Sequence, residues 1–82
     1  MVVRAYDPEP VRTDYDRQAR ARALIPKGTS AEQTIFRDAT SLAYAQGLTI
    51  EDAVDFGTEE ARKTDAGFTP EYDVALLALD SA

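Results

Sequence analysis

The sequence predicts an all-α domain, a small bundle of three to four short helices with an extended N-terminal arm, and three observations carry that prediction. Ser30 to Gly47 is bounded by residues that start and stop helices. Thr49 with Asp52 three residues on, and Thr69-Pro70-Glu71, repeat the starting signal twice more. Between these signals the apolar residues recur at three- and four-residue spacing instead of the alternation of a half-buried strand. A chain of 82 residues suits one domain, divided here into an arm over 1–11 and a helical domain over 12–82.

In the arm, Pro8 and Pro10 push the residues before them out of the helical region, so the segment reads as extended. Val2, Val3 and Tyr6 make it apolar enough to add to a partner's sheet edge or lie in a groove, although a frayed terminus is the stronger reading.

Thr13 opens the first helix, with Asp14 and Asp16 in its first turn and arginines further on, the order that suits the helix dipole; Pro26 stops it. Its apolar side is thin: Tyr15, Ala19 and Ala23, with Leu24 and Ile25 at the end. Arg17, Arg20, Arg22 and Lys27 fall in a stretch free of acids, which makes them the candidates for nucleic-acid contact. A solvated or internally paired helix is the stronger reading, because short charge clusters on acidic chains usually end that way.

The helix of Ser30 to Gly47 organises the rest. Ser30 is placed to cap the N–H of Gln33, with the Gln33 side chain reaching back. At about 100° per residue, Ile35, Phe36, Ala39, Leu42 and Ala43 share one arc and are expected in the core. Gln33, Arg37, Thr40 and Tyr44 then point outward, and Tyr44 is assigned to partner binding because core packing does not account for it. Gly47 supplies the left-handed stop, Leu48 folds back on Ala43, and Thr49 caps the next helix. In that helix Ile50, Val54, Gly57 and Ala61 share a face, with Ala53 at its side and Phe56 near its edge. Gly57 permits either a close helix approach or a break, and a break or kink is the expectation.

Thr69-Pro70-Glu71 is expected to start a last helix that is apolar on two sides, Val74, Leu77 and Ala78 against Tyr72, Leu76 and Leu79. The second set is assigned to a partner; a strand over 72–79 is the weaker alternative. The expected core is Ile35, Phe36, Ala39, Leu42, Leu48, Ile50, Val54, Phe68, Val74 and Leu77.

Composition narrows function more than motifs do. The chain lacks histidine and cysteine, which removes the usual imidazole base, the thiol nucleophile and the commonest zinc ligands. Glu51, Asp52 and Asp55 lack the alternation and glycine of a calcium loop, and no phosphate loop, dinucleotide fingerprint or nucleophile elbow is present, so no cofactor is expected. The Ala43, Gly47, Leu48 spacing superficially resembles a DNA-reading helix-turn-helix, but the second helix would bring Glu51, Asp52 and Asp55 against phosphates, and ordinary helix packing is preferred. No apolar run approaches the about 20 residues of a membrane span, and the reading is a soluble protein of the cytoplasm or of an assembled particle.

The net charge of −6 is unevenly spread: residues 1–28 hold six cations and four carboxylates, a balance of +2, and residues 29–82 hold three cations and eleven carboxylates, a balance of −8. The basic lead and acidic body are suited to attract each other, within a chain or between copies. The expected function is a non-catalytic interaction module, a structural or adaptor subunit of a larger assembly such as a phage particle or multiprotein complex, acting with a protein partner or as a homo-oligomer. The rival reading is a small regulator acting at nucleic acid, through the basic helix or as an acidic mimic. A small enzyme working through carboxylates ranks third.

Overall fold

The computed structural model describes residues 9–81, and the described chain is all helical. Helix α1 spans Glu9–Leu24, α2 Ala31–Ala45 and α3 Ile50–Arg62, and a 3-10 helix covers Val74–Ser81. The expected arm is shorter at its C-terminal end than predicted, because Glu9, Pro10 and Val11 are already helical. Pro10 is tolerated there because first-turn N–H groups have no intrahelical partner to lose. Val2, Val3 and Tyr6 lie outside the described residues.

The local signals around α2 act as read, with one exception. The Ser30 hydroxyl accepts from the N–H of Gln33 at 3.0 Å. At the other end Gly47 takes φ 109°, and the N–H groups of Leu48 and Gly47 donate to Ala43 and Tyr44 carbonyls at 3.2 and 3.0 Å, the paired bonds of a Schellman stop. Thr49 caps α3 by accepting from Asp52 N–H at 3.2 Å. The exception is the Gln33 side chain. Instead of reaching back, its amide donates to the Glu71 carbonyl at 2.7 Å and accepts from the Glu71 N–H at 3.1 Å.

That amide explains why no helix begins at Thr69. With both polar groups of Glu71 held by Gln33, and the Asp73 N–H donating to Leu24 O at 2.9 Å, the backbone of 69–73 runs as an irregular tail along α2 and the end of α1. Helical turns start only at Val74, where Asp73 accepts from Ala75 N–H through its carboxylate and from Leu76 N–H through its carbonyl, both at 2.8 Å. In a 3-10 helix residues three apart eclipse, so Leu76 and Leu79 turn inward together while Val74 and Leu77 turn out. The two apolar sides predicted for this segment therefore exchange roles.

Helix α2 is the middle element, packed by α1 on one side and α3 on the other; among the described residues α1 and α3 do not touch. Two neighbours require two buried flanks, and the buried arc of α2 accordingly takes in Gln33, Thr40, Ser41, Tyr44 and Ala45 as well as Phe36 and Ala43. Leu42 and Leu48, expected in the core, are exposed, as are Val74 and Leu77; Ile35 is half-buried at the margin. Phe36, fully buried, is the centre, with the rings of Phe68 and Tyr72 at 6.1 and 5.9 Å. Ile25, Ile50, Val54 and Leu76 close around it.

Helix α3 runs unbroken through Gly57, so the close approach, not the kink, is what this glycine serves. A Cβ there would overlap the Thr40 hydroxyl and sit 2.9 Å from the Phe36 carbonyl oxygen. Ala53, Gly57 and Ala61, one turn apart and all buried, form the strip on which α2 rests. The Thr40 hydroxyl pressed under this strip is fully buried and has no hydrogen-bond partner among the described residues.

Candidate interaction surfaces

The basic residues of α1 do not act as one group. Arg17 turns inward to the end of α2, its Nε donating to the Tyr44 carbonyl at 2.8 Å and its terminal nitrogen to the Leu48 carbonyl at 3.1 Å. The same guanidinium lies 3.8 Å from the centroid of the Tyr44 ring. One cation thus adds a bond to the Tyr44 carbonyl, already taken by Gly47, and one to the Leu48 carbonyl just past the helix, complements the negative end of the dipole and stacks on an aromatic face. Arg22 pairs with Asp38 at 2.9 Å. Arg20 and Lys27 stay exposed on the outer side of the chain. Internal pairing therefore takes two of the four cations offered for nucleic-acid contact.

Tyr44, expected outward, is only 2 % exposed, because the Arg17 stack brings it under α1. Leu76 is fully buried, and Tyr72 and Leu79 pack partly buried against the core. In the folded chain Leu76 has no surface to offer, and Tyr72 and Leu79 expose only part of theirs.

The unpaired apolar surface lies elsewhere. On α1 the side that faces solvent is the one carrying Tyr15, Ala19 and Ala23, with Tyr15 68 % exposed, while Arg17, Ala21 and Leu24 occupy the packed side. Beside Tyr15 a shallow groove of about 350 Å³ opens between α1 and α2, lined by Asp14, Gln18, Leu42, Ala45 and Gln46. A second groove of about 290 Å³ lies between α3 and the 3-10 helix, lined by the apolar Val54, Tyr72 and Leu77 and the acidic Glu51 and Asp55. Phe56 is exposed further round α3, among Asp52, Glu59 and Glu60.

The charges follow the same division. Exposed carboxylates at 51, 52, 55 and 59 make the outer side of α3 strongly negative. The Lys63 ammonium, 2.7 Å from the Glu60 carboxylate, is held above its ordinary pKa by that hydrogen bond and by the attraction of the charge. Among the described residues no group of three or more carboxylates converges on a common point that would hold a metal ion.

Tyr15 was legible as the largest apolar residue of the first helix, and its side was read as thin and left out of the expected core, since two alanines and one tyrosine offer little to one. Comparison with protein-family models, with curated proteins and with solved structures finds no match to this chain. No described helix is long and apolar enough to cross a membrane.

Proposed function

We propose that the chain is a non-catalytic protein-interaction module, a structural or adaptor subunit of a larger assembly. The observation that supports this reading is the orientation of α1, which turns the half-buried Arg17 toward α2 and the Tyr15, Ala19, Ala23 ridge to solvent beside the exposed Leu42. Folding alone favours the reverse, since burying a tyrosine removes more apolar area from water than burying alanine. An aromatic ridge bordered by polar residues is the usual composition of a docking patch. The rival nucleic-acid reading retains only Arg20 and Lys27 as exposed, unbridged cations on its direct route, and the carboxylates of α3 on its mimic route.

The test is affinity capture from the native host with the wild-type chain and with Tyr15→Ser/Leu42→Ser. Both positions are exposed, so the variant keeps its helical circular dichroism. A protein partner held by the wild type and lost by the variant is the expected result. Capture of nucleic acid in its place, or of the same proteins other than the chain itself by both chains, refutes the reading.

A further inference from the structure

The two outer surfaces of this molecule complement each other, and one chain cannot bring its own pair together. Among the described residues helices α1 and α3 do not touch, and α1 meets the tail and the 3-10 helix through its packed side, so its outer ridge, exposed at Ala19, Arg20 and Ala23, faces away from the groove between α3 and the 3-10 helix. The C-terminal half of the ridge carries Ala19, Arg20, Ala23 and, just beyond the helix, Lys27, all exposed and with no acid among them. The groove is lined by the apolar Val54, Tyr72 and Leu77 and the acidic Glu51 and Asp55, with Leu77 43 % exposed. The groove of about 290 Å³ has room for the two alanines together with the stem of an arginine.

We infer that this groove receives the C-terminal half of α1 from a second copy of the chain, Ala19 and Ala23 against Val54 and Leu77, with Arg20 and Lys27 beside Asp55 and Glu51. The contact joins unlike surfaces, so each copy keeps one free ridge and one free groove, and association continues head to tail into a ring or an open row. This rests on the reading of the chain as an assembly subunit and specifies one partner, the chain itself. The pairs are solvent-exposed, so association weakens as salt shortens the screening length.

The experiment is light scattering over a range of concentrations with three proteins: wild type, a ridge variant Arg20→Glu/Lys27→Glu, and a groove variant Asp55→Lys/Leu77→Lys. Wild type is expected to gain mass with concentration and to lose it with added salt, and each variant alone to weaken association at least tenfold. Mixing the two variants pairs one intact ridge with one intact groove, and the acidic ridge of one variant also meets the lysine groove of the other with opposite charge, so association returns in the mixture. A wild type that stays monomeric, variants that associate like wild type, or a mixture no larger than its components overturns the inference. Loss of a different captured protein with Tyr15→Ser/Leu42→Ser would still support the interaction-module reading, so the two fail separately.

Discussion

Replacing Arg17 by alanine is expected to destabilise the fold by about 2 kcal/mol, although the residue lies on a helix with little apolar packing. The estimate starts from two hydrogen bonds to main-chain carbonyls, one part-buried at 2.8 Å and one exposed at 3.1 Å. A charge-assisted bond in a part-buried setting contributes about 1.5–3 kcal/mol, and the exposed one little, because water replaces it. Stacking on Tyr44 adds about 0.5–1 kcal/mol, and the cation at the end of α2 a few tenths more. Ordering a long side chain offsets about 1–2 kcal/mol of the total. For a domain of this size each 1 kcal/mol moves the melting temperature by about 4–8 °C, so thermal unfolding followed by circular dichroism should shift downward by about 8–16 °C. Arg17→Lys keeps the charge but not the planar fork, and should recover less than half of the loss. Tyr44 fluorescence should become more accessible to a quencher in both. An alanine variant within about 0.5 kcal/mol of wild type, a difference typical of neutral surface substitutions, would refute the capping role assigned to this residue.

Gly57→Ala should destabilise by about 1 kcal/mol, the overlap with Thr40 and Phe36 outweighing the better helix propensity of alanine, and adding Thr40→Ala should relieve part of it, measured as a non-additive double-mutant cycle in urea. Gly47→Ala should lose about 1–2 kcal/mol for a different reason, its φ of 109° with open space around it, and no second-site substitution nearby should rescue it. Thr40→Val removes a buried hydroxyl with no partner among the described residues and should raise stability by about 1 kcal/mol, read as a higher urea midpoint at unchanged slope. Asp80→Ala should release the 3-10 helix from α3, where its carboxylate accepts from Ile50 N–H at 2.6 Å, and speed amide exchange at Ile50 and Leu76 before it affects α2.

What was legible in the sequence is what neighbouring residues decide among themselves. Ser30, Gly47 and Thr49 each act on backbone groups within a few positions, and each behaves as read. Which side of a helix faces inward was not legible, because that depends on how many neighbours it has. For α2 the apolar arc suggested one, and a second neighbour drew in Thr40 and Tyr44. Tyr44 was expected outward and is instead part of the buried core cluster, with the guanidinium of a residue 27 positions away on its ring. The tail failed for a related reason. Thr69-Pro70-Glu71 is a sound helix start in isolation, and it is overridden by bonds to Gln33 and Leu24 that only the folded chain supplies.

Those bonds also set an unequal tolerance to change at their two ends. Gln33 holds the main chain of residue 71 and is indifferent to its side chain, which points to solvent, so position 71 is free to vary while position 33 needs an amide with one donor and one acceptor correctly turned. Leu24 receives the tail through main chain alone in the same way. Across divergent versions of this chain, position 71 would drift while Tyr72 stays aromatic against Phe36, and a constant glutamine in α2 would mark the path of the tail.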